Sequence, residues 1–437
     1  MRRSLPVPVL VLAAALLSFT APASAQWRRV GLQGGIINSI AVNPANPSIL
    51  YAGAQVAGLW KSTNAGETWS PINSGYTGDM ATFLYVDPFL PANVYVGSNA
   101  GVFQSVNAGA TWTARNNGLP ATGIVAMAVD PANSSKLWVS VNAPGGGVFR
   151  STDAGFNWTA RPLPVPFSTV ATLTVLGSNV YAGWGNVPFR SSDDGVTWTI
   201  PYPDILPSSV QSIAARPGPT ELVVGLGQRG ICRSTLSPAP GWIDSSVGLT
   251  SLRISKVVVR PGDANTLFAA SNAGGVFRSA DGGHSWTPTM DGLANTDVAA
   301  LAFDSSGRFL YAGTSDGVFV LDLDDVGCGD TSALCLNHGR FRVRVTWEVV
   351  SQGTNGVATP VPLAEDSGAV WFFSPNNLEL LIKVVDGRAF NGHFWVFYGA
   401  LSDVAYTVTV TDTTTGAVRT YVNAAGTVAS RADTAAF

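Results

Sequence analysis

Apolar residues fall in short runs separated by polar, glycine-rich breaks, and the runs come in an order that repeats. The first run of a unit ends near Asp-Pro or Asn-Pro, at 36–44, 82–88, 124–131 and 257–261, with 298–304 lacking the proline. The second, of the type Leu-Tyr-Ala-Gly, occurs seven times, at 50–53, 94–97, 137–140, 180–183, 222–225, 267–270 and 310–313. A third reads Gly-Val-Phe-Arg-Ser, as at Gly147 to Ser151, and leads through a polar turn to a tryptophan. A fourth, outer run follows and often closes on Gly-Leu, at Gly118-Leu119, Gly248-Leu249 and Gly292-Leu293. Runs of this length bounded by turn residues predict strands. Four short strands per unit, repeated, predict the blades of a β-propeller.

The tryptophans set the period. Trp27, Trp69, Trp112, Trp158, Trp198, Trp242 and Trp286 are separated by 42, 43, 46, 40, 44 and 44 residues, a spacing that marks one recurring small sheet. Before five of them stands a common phrase: Ser-Thr-Asn-Ala-Gly-Glu-Thr-Trp ending at Trp69, with variants ending at Trp112, Trp158, Trp198 and Trp286. The copy from Ser234 to Trp242 has decayed and gained a residue. The acids and amides at the third position, Asn64, Asn107, Asp153, Asp193 and Asp281, are expected to accept backbone N–H bonds and close a turn. Gly66, Gly109, Gly155, Gly195 and Gly283 supply a position where φ can be positive. Repetition in every unit assigns these residues, with Trp69, Trp112, Trp158, Trp198 and Trp286, to the scaffold. The five intact phrases resemble the Asp-box, or BNR, repeat of sialidases, sortilin-type receptors, xyloglucan-specific glycosidases and the photosystem II assembly factor family.

The seventh unit fixes the expected blade number. Its third run, Val318 to Leu321, is followed by no phrase and no tryptophan, whereas Trp27 to Leu32 has the pattern of an outer strand with no unit before it. Pairing these two stretches would close a ring of seven, removing the free edge.

From about Leu336 the period vanishes. Phe341 to Trp347 alternates apolar and polar, and further strand-like runs lie at 369–373, 378–385, 393–398, 406–411 and 418–422. The expected class is therefore all-β: a seven-bladed propeller over 26–323, a linker over 324–336, and a smaller β-sandwich over 337–437. Phrases such as Gly-Arg-Phe-Arg-Val-Arg-Val-Thr-Trp, and the closing Asp-Thr-Ala-Ala-Phe, resemble a C-terminal module that recurs in secreted bacterial proteins. Phe394, Val396 and Tyr398 fall on one face of their strand, Trp395 and Phe397 on the other. A strand buried on both sides is expected, and a sugar-stacking platform is the alternative.

Residues 1–25 have the form of an export signal: Arg2 and Arg3, an apolar stretch from Leu5 to Leu17, and Ala23-Ser24-Ala25 before Gln26. The mature chain is expected outside the cytoplasm, with no membrane helix and as a monomer. In an oxidising compartment Cys328 and Cys335 are expected to pair, contributing about 2–3 kcal/mol. Cys232 replaces a blade phenylalanine and is expected to be a buried core thiol. Charged residues make up 12% and the net charge is -3, which offers no basic field for nucleic acid. His284, His338 and His393 are scattered, so no metal site and no cofactor is expected.

A glycosidase needs two carboxylates about 5 to 10 Å apart. Glu67 and Glu221 are the only glutamates between residues 27 and 325. The opening Trp-Arg-Arg-Val-Gly-Leu-Gln-Gly-Gly and the later Ile-Leu-Tyr-Ala-Gly-Ala-Gln-Val-Ala-Gly resemble the start of a xyloglucan-specific glycosidase, with Gln55 where that family carries a catalytic aspartate. An amide is neither acid nor base at that position, so the resemblance implies shape without hydrolysis. Asp79 and Asp297, each just before an inner strand, are the alternative catalytic pair. A binding rim is the preferred expectation: Gln55, Asn99, Asn142, Trp184, Asn186, Gln228, Arg229, Asn272 and Asp316 fall in loops between second and third strands, all at one end of the ring. Such a rim suits a polar polymer, glycan or extended peptide, or a protein partner. The expected function is a non-enzymatic binding or assembly scaffold, with a glycoside hydrolase-like enzyme as the alternative.

Overall fold

The structure, a computed structural model, describes residues 26–437 apart from 121–122, 143–145, 166–169, 203–204, 217–220, 236–240, 324–331, 338–339, 365 and 414. The chain divides into two compact units between residues 324 and 325. The first is a seven-bladed β-propeller. Its innermost strands are Ile37–Val42, Ala81–Val86, Ile124–Asp130, Val170–Leu176, Val210–Arg216, Ile254–Arg260 and Val298–Phe303. Each packs against the next, and the last packs against the first. Six sheets are four-stranded. Blade 4 has three strands and a single outer bridge, Arg190 to Thr199.

Blade 7 takes its fourth strand from the other end of the domain. Trp27–Arg29 runs antiparallel to Gly317–Asp322, with Trp27 opposite Leu321 and Arg29 opposite Phe319. Ring closure thus follows the pattern that the orphan tryptophan predicts. All seven inner strands carry a register shift at the same place, after their first residue. Such bulges bend a strand and increase its twist, here where the blades crowd around the axis.

The recurrent phrase folds as one turn in all five intact copies. In blade 3 the Ser151 hydroxyl donates to Asp153 Oδ1 at 2.8 Å and accepts from the Gly155 N–H at 2.9 Å, while the Asn157 N–H donates to Asp153 Oδ1 at 2.9 Å. Asn64 and Asn107 make the same bonds in blades 1 and 2. The glycine is not alone in the left-handed region: Ala65, Ala108, Ala154 and Asp194, one residue earlier, also have φ between 55° and 61°. The leading serine is a second hub of the turn, because its hydroxyl both donates and accepts.

These bonds set a pH response. At Asp193 the Thr197 hydroxyl, the Thr197 N–H and the Ser191 hydroxyl hold the carboxyl down to about 2. At Asp153 and Asp281 slight burial works upward, but the same set of bonds outweighs it and both stay below the ordinary range. The folded values lie below the unfolded 3.8, so the stabilisation is complete above about pH 4 and is lost as pH falls toward about 2. Denaturation midpoints should therefore fall between about pH 4 and pH 2. The fall should be shallower in a triple Asp→Asn variant at 153, 193 and 281, since the native Asn64 and Asn107 turns show that asparagine fits. An unchanged slope contradicts the assignment.

Five of the seven repeat tryptophans link their blade to the one before it. The indole Nε1 of Trp69, Trp112, Trp158, Trp286 and Trp27 donates to the carbonyls of Val30, Ile72, Arg115, Ser245 and Thr289 at 2.7–2.9 Å. Each acceptor lies three residues after the preceding blade's tryptophan. The Gly-Leu pair is not the end of the outer strand, as the sequence suggests. Its glycine has positive φ and lies against the next tryptophan's backbone: a Cβ on Gly118, Gly248 or Gly292 would stand 2.3, 1.9 and 2.2 Å from the carbonyl oxygens of Trp158, Trp286 and Trp27.

The C-terminal unit is a β-sandwich of two five-stranded sheets around Phe341, Val343, Ile382, Val384, Phe394, Val396, Val408 and Val410. It includes Leu334–Leu336, a strand paired with Phe341–Val349, inside the span that the sequence reads as linker. Cys335 is disulfide-bonded; Cys328 lies outside the described residues. Cys232 is buried and free, with burial pushing its thiol up to about 11. The strand Phe394–Ala400 is buried on one face only, which corrects the expectation of burial on both. Trp395 and Phe397 line its half-exposed outer face, where Trp395 packs on Phe390 and donates to Asn391 Oδ1 at 2.8 Å.

Candidate functional site

Antiparallel pairing puts every link between second and third strands at one end of its blade, and so on one rim. Ala54 pairs with Gly58, Ser98 with Gly101, Trp184 with Val187, Ser271 with Gly275 and Thr314 with Gly317. Several of the predicted rim residues hold the loops themselves. Asn99 Oδ1 accepts the Asp79 N–H at 3.0 Å, and Asn186 Nδ2 donates to the Leu206 carbonyl at 3.2 Å. Asp316 receives Arg29 at 2.5 Å and the Gly34 N–H at 2.9 Å, which ties the closing strand to blade 7. Arg29 holds the Asp316 carboxyl below its ordinary value. Trp184 is half-buried in the blade 4 cluster, its ring 6.4 Å from Phe189. Gln55, Gln228 and Arg229 are exposed on their turns, and the Asn142 N–H donates to the Gly123 carbonyl at 2.8 Å.

The structure gathers another set between blades 6 and 7. An open groove of about 480 Å³ is lined by Arg253, Asn272, Asn295, Thr296 and Asp297 with two alanines. Its backbone is pinned: the Asn272 N–H donates to the Arg253 carbonyl at 3.1 Å, and the Ser315 N–H to the Asp297 carbonyl at 3.1 Å. Asn295 Oδ1 accepts the Asp297 N–H at 2.9 Å and the Ser315 hydroxyl at 3.1 Å, and its NH₂ group adds a donor. The groove thus offers an arginine, two side-chain amides, a hydroxyl and a carboxylate. Asn272 and Asp297 come together here, although the sequence reading gave them different roles. Arg253 and Asn295 were missed because they lie in links between blades, where no pattern repeats. Asp79 belongs to the loop before blade 2, separated from Asp297 by blade 1.

Among the described residues no group of three His, Cys, Asp or Glu side chains could hold a metal ion, and no helix is long and apolar enough to cross a membrane. His338 lies outside the described residues, while His284 sits in a box turn and His393 beside the terminal Phe437.

The sheets and their closure define the first unit as a β-propeller. The chain is similar in structure to YCF48 from Cyanidioschyzon merolae, with 15% identity and a TM-score of 0.53 over 68% of this chain and 98% of that one. It is similar to YCF48 bound to D1 peptide, at 14% identity and a TM-score of 0.55 over 69% and 97%. The GH74 xyloglucanase from Xanthomonas campestris matches at 15% identity and a TM-score of 0.57, over 93% of this chain and 81% of that one. Likeness at this level of identity establishes the propeller fold alone. No protein-family model matches the chain, and no curated protein matches it.

Proposed function

We propose that the protein is an exported, non-enzymatic binding scaffold that takes an extended peptide segment of a partner along the rim groove between blades 6 and 7. The carrying observation is the groove's lining, which sets donors (Arg253 and the side-chain amides) beside acceptors (Asp297 and the same amides), able to meet the N–H and C=O groups of an extended backbone. Sugar rings call for an aromatic face, and the groove's lining consists of Arg253, Ala, Asn, Thr and Asp side chains. A propeller of the same fold is known bound to D1 peptide, which supports the reading without identifying the partner. The five boxes are read as members of the Asp-box repeat, and the sandwich as the recurrent module of secreted proteins. Export predicts a mature chain that begins at Gln26, to be checked by N-terminal sequencing of the secreted protein.

Panning the full chain against a random-peptide library, with a glycan array and a polysaccharide hydrolysis screen in parallel, tests the reading. Peptides should be enriched, and Asn272→Ala combined with Asn295→Ala should weaken their binding by about tenfold, the loss of one or two hydrogen bonds. Enrichment on glycans alone would remove the peptide assignment. Hydrolysis by the parent chain that disappears in Asp79→Asn, Asp297→Asn would replace it with the glycosidase alternative.

A further inference from the structure

Lys256 stands inside the inner strand Ile254–Arg260 of blade 6. The other charged residues of the seven inner strands, Asp130, Arg216 and Arg260, are at strand ends. Its place in the register, directly after the bulge, is occupied in the other blades by Ser39, Phe83, Ala126, Thr172, Ser212 and Ala300. The Ser39 hydroxyl donates to the Ala81 carbonyl of the next blade at 3.0 Å, and Ser212 accepts the Val257 N–H of the next blade at 3.0 Å. This register directs Lys256 toward the inner strand of blade 7, into the seam whose rim end is the groove. Both neighbours are clamped. Ser255 donates to the Ala270 and Val298 carbonyls at 3.2 and 2.7 Å, and Val257 is held by Ser212.

Lys256 is half-buried, and its ammonium keeps some contact with solvent. It has no hydrogen-bond or ion-pair partner among the described residues. The elements packed against its strand supply no free countercharge: Glu221 is engaged by Arg216 and Arg233, Asp263 lies at the far end opposite Arg260, and the inner strands of blades 5 and 7 hold no acid. Desolvation lowers Lys256 from the ordinary lysine value. A partly desolvated charge with no countercharge beside it is stabilised when an anion joins it. One lysine neutralises one negative charge, which fits a carboxylate better than a dianionic phosphate. Arg253, three residues nearer the rim, lies about 10 Å away along the strand and marks the route in.

We infer that Lys256 anchors a carboxylate site in the seam between blades 6 and 7, filled by an acidic side chain of the ligand in the groove or by a free carboxylate. The inference rests on the groove reading for its route, and the test separates the two. Fluorescein-labelled hexaglutamate and hexaglutamine are titrated with the full chain at low salt, where exposed charges are least screened. Hexaglutamate should bind more tightly. Lys256→Met should remove that preference, a loss of about tenfold, and Lys256→Arg should retain it. Asp297→Asn should tighten hexaglutamate by lifting repulsion at the groove mouth. Displacement by acetate identifies a site open to free carboxylates, and loss in Lys256→Met without displacement identifies one filled only by a peptide. Equal binding of the two peptides, or an unchanged preference in Lys256→Met, overturns the inference. Hexaglutamine binding that ignores Asn272→Ala and Asn295→Ala overturns the groove reading alone. If Lys256→Met does not fold, the Lys256 Cε resonance of ¹³C-lysine-labelled protein decides: it should move with hexaglutamate, and an unmoved signal is the contrary result.

Discussion

Trp27→Ala is expected to destabilise the propeller by about 3–5 kcal/mol, the range for deleting a large buried aromatic. Trp27 is 3% exposed and packs with Phe268, Leu293, Phe319 and Leu321 in one cluster. Its Nε1 donates to the Thr289 carbonyl at 2.8 Å and its backbone N–H to Asp291 at 2.7 Å, so it joins blade 7 to blade 6. It also carries the closing strand. Loosening of that strand would expose the edge of Gly317–Asp322 to protease and to other chains. Denaturation midpoints combined with limited proteolysis measure both effects. Trp242→Ala is the comparison: Trp242 is half-buried and its Nε1 has no partner among the described residues, so its removal should cost less. Equal losses in the two variants would deny closure its special weight.

Gly248→Ala should cost about 2–4 kcal/mol, combining strain at positive φ with overpacking. Gly248 has φ +87°, and its Cβ would stand 1.9 Å from the Trp286 carbonyl oxygen, a backbone atom that a rotamer change cannot move aside. Gly262→Ala separates the two causes. Gly262 has φ +78° and open space around its missing Cβ, so only the conformational cost of about 1 kcal/mol remains. Similar midpoints for the two variants would show that the contact with Trp286 carries little weight.

Much of the scaffold was legible because it repeats. A single Gly-Leu pair is uninformative, but three at the same distance after a tryptophan identify a position under constraint. Only the structure shows the constraint to be the next blade's backbone. The same positions in blades 3 and 4 are Pro164 and Asp204. Of the seven repeat tryptophans, Trp198 and Trp242, which follow these two positions, are the ones whose Nε1 has no partner among the described residues. The left-handed Ala65, Ala108 and Ala154 went unread because alanine carries no signature of positive φ. The outer face of Trp395 was misjudged because alternating aromatics look alike whether one face or both are covered.

The chain's periodicity alone determined the strand order within a blade, the number of blades, the turn chemistry and the pairing of the two ends, since each depends on local spacing that recurs. Tertiary structure decided which side chains of different blades meet. Arg253, Asn272 and Asp297 are brought to one groove by the packing of one blade against the next. Contacts made across a ring leave no pattern along the strand, because no two residues of such a site share a fixed spacing.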